Sequence, residues 1–176
     1  MLFSAPAAGF DQPFEMLAGC HDRVCRSLAL LQRLVDHLRT NGADGQARSA
    51  ADDVLRYFDI AGPQHHLDEE KHVLPLLEAS GDAALIDAAH RLRADHRQLD
   101  VQWQTLRALL VALNDVEALA READAFVALY DTHLPLEDEL VFPAARRLMP
   151  AHGLDAMGRE MAVRRGVRAP AARGSR

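Results

Sequence analysis

Residues 63–75 read PQHHLDEEKHVLP and residues 132–143 read THLPLEDELVFP. In each, a histidine is followed four places later by a glutamate: His65 by Glu69, and His133 by Glu137. Four residues make about one α-helical turn, so both members of a pair leave their helix on the same side. The pairs also sit on apolar stripes with alternating spacings of three and four, the pattern of a helix buried along one face. One stripe is Leu55, Phe58, Gly62, His65, Glu69, His72, Leu76; the other is Leu119, Ala123, Phe126, Tyr130, His133, Glu137, Leu140, Ala144. A carboxylate on a buried stripe is costly unless it is paired or holds a cation. These segments therefore predict two long helices that meet around something polar.

Working outward, two more stripes carry a single histidine each. The first is Phe14, Leu17, His21, Val24, Leu28, Leu31, Val35, Leu38, and the third is Leu85, Ala89, Leu92, His96, Leu99, Trp103, Leu106, Leu110, Leu113. The breakers TNGADG near 40–45, ASGD near 79–82 and LNDVE near 113–117 divide the four segments. Connections this short make neighbouring helices antiparallel. The expectation is an all-α, up-down-up-down antiparallel four-helix bundle over residues 1–150. Residues 151–176 are read as a short amphipathic capping helix and a disordered Arg-rich tail. Counted from the turns at 1.5 Å per residue, the polar interruptions fall within about one helical turn of a common height. His21, His65, Glu69, His96, His133 and Glu137 then share one layer of the core.

Composition narrows the possible functions. The formal net charge is −6, so the body has no electrostatic footprint for nucleic acid. No apolar run is long enough to span a bilayer, and MLFSAPAAGFDQP lacks the basic start and long apolar stretch of a signal peptide. The expectation is a cytoplasmic protein with no membrane and no nucleic-acid partner. Cys20 and Cys25, five places apart on one predicted helix, are poorly placed for a disulfide and read as small buried apolar residues.

Imidazole and carboxylate donors without thiolate suit iron or manganese, with zinc possible. Six donors are too many for one tetrahedral ion and fit two ions sharing carboxylates. The register around PQHHLDEE needs a choice, because His66 and Glu70 have the same spacing as His65 and Glu69. The pair His65/Glu69 continues the apolar stripe, whereas His66/Glu70 continues back through Asp59 and Arg56, a solvated face. Likewise Glu137 continues its stripe and Glu139 does not. Gly62, Pro63 and Pro135 interrupt the two helices, either as tolerated kinks or as bends that aim the ligands.

The elements CHDR, HHLDEEKHVLP, DHRQL and THLPLEDELVFP, in that order over residues 14–148, resemble the hemerythrin-like (HHE cation-binding) family. The resemblance implies a bundle holding a bridged non-haem di-iron centre, with His21, His65, Glu69, His96, His133 and Glu137 as ligands. It also shows a departure. Oxygen-carrying members have a second histidine on the third helix, four places from the first, where this chain has Leu92 before His96 and Asp100 after it. The coordination shell is more open, or another side chain fills it. His72 and Tyr130, each one turn from a ligand, are candidates for direct contact or for packing behind the ligands. The lost imidazole argues against simple reversible oxygen carriage. His37, His66, His90 and His152 lie off the stripes and are expected on the surface.

The functional expectation is a protein of two iron ions that binds or senses oxygen, nitric oxide or peroxide, a binding protein more than a dedicated enzyme. Its rivals are a di-iron oxidase, peroxidase or nitrosative-damage repair protein, and an iron-responsive interaction protein.

Overall fold

The computed structural model describes residues 8–168. Among these residues every regular element is helical. The first helix is Pro13–Asn41 and the third is Ala83–Ala112. The second runs from Gly45 to Glu78 and the fourth from Val116 to Leu148, each continuous but interrupted by wider π turns. A fifth, Ala151–Arg164, follows Pro150.

The sequence breakers fall where the helices end. Gly42 takes a φ of +73° and donates its N–H to the Leu38 carbonyl, closing the first helix. The side chains of Asp44, Asp82 and Asp115 accept from Ala47, Ala84 and Ala118, capping the next three. Contacts between helices fix their direction. Arg39 near the end of the first bonds Glu117 at the start of the fourth, while Glu15 near the start of the first pairs with Arg146 near the end of the fourth. Trp103 and Arg107 reach Asp59 while Arg93 reaches Glu78, so the second and third helices are also antiparallel. The up-down-up-down bundle with a short C-terminal helix is the structure.

The two interrupted helices carry the same spacing of features. Wide turns occur at Tyr57–Ala61, Glu69–Val73 and Glu137–Val141, and their closing N–H groups, on Gly62, Leu74 and Phe142, bond back five residues. A proline follows each at once: Pro63, Pro75 and Pro143. A proline ring clashes with the carbonyl four residues earlier and offers it no donor, and a widened turn relieves both problems. Pro135 lies inside the α-helical stretch Val116–Leu136, two residues before the wide turn at Glu137–Val141.

Each wide turn adds a residue to its turn, so the buried face advances by one position beyond it. Val73 and Leu77 are buried where the stripe predicted His72 and Leu76, and Val141 is fully buried while Leu140 is 36% exposed. The first and third stripes, which cross no wide turn, are buried at every predicted position. Cys20 is buried and Cys25 exposed, both as free thiols; Cys25 lies next to Val24 on the helix and so about 100° off the buried face.

The apolar core comes in two blocks. One is built around Leu31, Val54, Phe58, Trp103, Leu106 and Phe126, the other around Phe14, Leu17, Leu74, Leu92, Val141 and Met161. Between them lies a polar layer. The fifth helix closes the second block with Met157 and Met161, and it is tied to the outer side of the second helix. Fully buried Asp68 takes hydrogen bonds from Arg164 and Arg165, and Glu160 takes them from Lys71 and His72 at 2.9 Å each. Arg164 and Arg165 thus belong to a packed contact; the expected tail from residue 169 on lies outside the described residues.

Candidate metal centre

The polar layer brings together all six residues marked by the stripes. His21, His65, Glu69, His96, His133 and Glu137 are each at most 5% exposed. One helix supplies each histidine, and the glutamates come one turn after the histidines of the second and fourth helices. The ligating atoms meet at the centre: Nε2 of His21 lies 3.1 Å from Oε2 of Glu137, and Nε2 of His133 lies 3.0 Å from Oε1 of the same residue. On the opposite side, Nε2 of His65 is 3.1 Å from Oε1 of Glu69, and Nε2 of His96 is 3.4 Å from Oε2. Each carboxylate therefore spans one histidine from either half.

Two overlapping groups result. His21, His65, Glu69 and Glu137 form one; Glu69, His96, His133 and Glu137 form the other. Within each, the donor atoms all lie within 4.8 Å of one another. The glutamates are common to both, as shared carboxylates between two cations must be.

Despite these short distances, the angles are wrong for hydrogen bonds. Both oxygens of Glu69 and of Glu137, and Nε2 of His96 and His133, are buried without a hydrogen-bond partner. Native interiors almost never leave so many acceptors unsatisfied in one place. Lone pairs that converge without meeting a proton donor are what a cation site requires, and the donor set fits two such ions.

The outward nitrogens of His21 and His96 are held by acids that the stripes did not mark, and a third acid stands near that of His133. His21 Nδ1 bonds Asp138 at 2.9 Å and His96 Nδ1 bonds Glu70 at 3.0 Å, while Asp95 lies 3.7 Å from Nδ1 of His133. An acceptor on Nδ1 fixes the tautomer and leaves Nε2 free for a cation. Each acid is the chain neighbour of a ligand, so it projects about 100° from that ligand and serves the next helix instead. That adjacency is the signal that could have found them.

Charge is balanced within the layer. Burial disfavours the protonated form of His21 and of His96, yet close contact with and attraction to the Glu137 carboxylate, with Glu69, Asp138 and Glu70 nearby, prevail and raise them to about 8 and about 10. Burial with few compensating charges pushes His65 down to about 3. Burial and the neighbouring Glu137 raise Glu69; Glu137 is driven well below the carboxylate range because its close contacts with His133, His21 and His96 outweigh burial. A cation bound here would displace protons.

Two of the remaining expectations need correction. His66, expected on the surface, is 8% exposed and packs inside. Its ring stacks on His96, centroids 4.1 Å apart and planes within 10°, because the step from His65 to His66 turns the side chain from the first helix toward the third. His72, a candidate for contact with the ions, bonds Glu160 instead, since the wide turn at Glu69–Val73 rotates it out of the layer. Tyr130 is buried with its ring edge-on to His133 at 5.9 Å, beside the ligands. His37, His90 and His152 stay outside the core.

Comparison with known proteins agrees with this geometry. The family model for the hemerythrin HHE cation binding domain matches residues 12–145. An uncharacterised protein of Haemophilus influenzae is 32% identical over 169 residues, covering 92% of this chain and 94% of its own length. The chain belongs to the hemerythrin HHE cation-binding family.

Proposed function

We propose, with that membership as premise, that the chain is a non-haem di-iron protein that binds or senses a small ligand such as oxygen, nitric oxide or peroxide. The observation that carries this reading is the pair of carboxylates, each within reach of histidines from both halves of the layer. His21 and His65 would hold one ion, His96 and His133 the other, and Glu69 and Glu137 would bridge them. Manganese and zinc accept the same donor types, so iron is the reading the family favours and the first to test. Bound there, iron would supply redox-active positions open to an exogenous ligand.

The surroundings support a small ligand. The cavity beside the layer, lined by Phe58, Gly62, His66, Asp100 and Tyr130 among others, has a volume of about 20 Å³, close to that of one water molecule. Larger clefts lie on the surface away from the six ligands, as around Arg23, Arg56 and Tyr57. The protein's own groups then act by position. Asp138 and Glu70 hold imidazole orientation, and the apolar blocks on either side keep bulk water from the layer.

The test is anaerobic loading with ferrous iron, metal analysis, and absorption spectra before and after air, nitric oxide or peroxide. About two irons per chain with new near-ultraviolet charge-transfer bands is the expected result. One iron or none, or a spectrum indifferent to all these ligands, would overturn it.

A further inference from the structure

The two halves of the layer are not equivalent, and His66 makes the difference. His65 and His66 are consecutive residues on a helix that lies between the first and the third. The 100° step between them sends one ring toward His21 and the other toward His96. His66 comes within 5.7 Å of the His133 ring as well, and a ligand-capable nitrogen of each of His66, His96 and His133 lies within 4.8 Å of the others. The glutamate one turn after it, Glu70, is not available as its partner: it is engaged by His96 Nδ1 at 3.0 Å and has Arg93 at 3.9 Å. His66 has no hydrogen bond or ion pair with any described residue, although it is almost wholly buried.

The third helix shows the complementary gap. Where a second imidazole would stand one turn before His96 there is Leu92, fully buried in the apolar block, and one turn after it there is Asp100. Apart from His66, each half has two imidazoles and a share in two carboxylates.

We propose that His66 supplies a third imidazole to the ion held by His96 and His133, replacing from the second helix the ligand that the third helix lacks. This rests on the two-ion reading above. Ligation takes the ring out of its stack, because imidazoles bound to one ion radiate from it and cannot lie face to face. The cavity of about 20 Å³ lined by Gly62, Asp100 and Tyr130 adjoins the ring. The site is then asymmetric, three imidazoles on one ion and two on the other, and the ion of His21 and His65 keeps the more open shell.

The experiment uses the full chain with ferrous iron, and in parallel with cobaltous ion, whose visible bands report coordination number. His66→Phe keeps an aromatic ring against His96 but has no nitrogen to offer. It is expected to melt like the wild type without metal, to hold one ion normally and to bind the second at least tenfold more weakly in chelator competition, with altered cobalt bands. His66→Ala is expected to lose the same ion and to regain it with added imidazole, a rescue that a packing role would not show. Should His66→Phe fail to fold, the alanine variant and its rescue decide the matter. His66→Phe that holds both ions with wild-type affinity and bands, or His66→Ala deaf to imidazole, would overturn the role of His66 while leaving the two-ion centre intact. A wild-type chain that takes up no second ion would overturn both.

Discussion

Asp68 offers a sharp test of how the fifth helix supports the centre. Its carboxylate is fully buried, yet it receives hydrogen bonds from Arg164 and from both terminal nitrogens of Arg165, the latter at 2.6 and 3.1 Å. Asp68→Asn preserves the shape but removes the charge and turns an N–H₂ toward two cations. Removing one partner of a fully buried pair costs about 3–5 kcal/mol. Here the arginine side chains remain 13% and 20% exposed and keep Glu160 and the Met161 carbonyl as partners. Partial hydration and these residual bonds reduce the expected cost to about 2–3 kcal/mol. For a chain of this size that corresponds to a fall in Tm of roughly 5–10 °C. Thermal melts followed by circular dichroism on the metal-free protein give the value directly. Because Asp68 adjoins Glu69, iron loss to a chelator should also be faster in the variant. A Tm within about 2 °C of wild type would refute the account and make the contact an incidental surface pairing.

Glu137→Gln should reduce iron from about two per chain to well under one, because the carboxylate is shared by both halves; loss of a single ion in metal analysis would show that it is not. Val141→Ala should cost about 1–3 kcal/mol in guanidinium unfolding, whereas Leu140→Ala stays within about 0.5; the reverse order would deny the phase slip at the wide turn. Gly158→Ala should destabilise despite a helix-propensity gain of about 1 kcal/mol, because its Cβ would sit 1.8 Å from the Phe10 carbonyl oxygen; an unchanged or raised Tm would contradict that close approach. Glu160 is held well below the carboxylate range by Arg164, with burial opposing and His72 and Lys71 assisting. Its stabilising effect is present above the unfolded value of about 4.3 and is lost as pH falls through the lower folded value. Between about pH 5 and 3 the urea midpoint should fall more steeply for wild type than for Glu160→Gln, and parallel slopes would exclude the linkage.

Much of this protein is legible from one-dimensional spacing. Stripes of three and four fix which face of each helix is buried, short Gly- and Asp-containing breakers fix where helices stop, and both are local properties of the chain. The six residues of the central layer follow because a histidine or glutamate interrupting a buried stripe has to meet its counterparts on the other helices. Tertiary structure alone decided what lies one step off a stripe. His66, Asp95, Glu70 and Asp138 each neighbour a ligand in sequence and look solvated on an isolated helix; His66 is buried, and the three acids turn toward a histidine of the next helix, because that helix stands about 100° around from the first. The wide turns before Pro75 and Pro143 are likewise invisible to a constant period, and they moved His72 and Leu140 off the buried face in favour of Val73 and Val141. A stripe records how a helix faces the core as a whole. Which neighbour a side chain meets depends on the azimuth of the packed helices, and that is set only when they assemble.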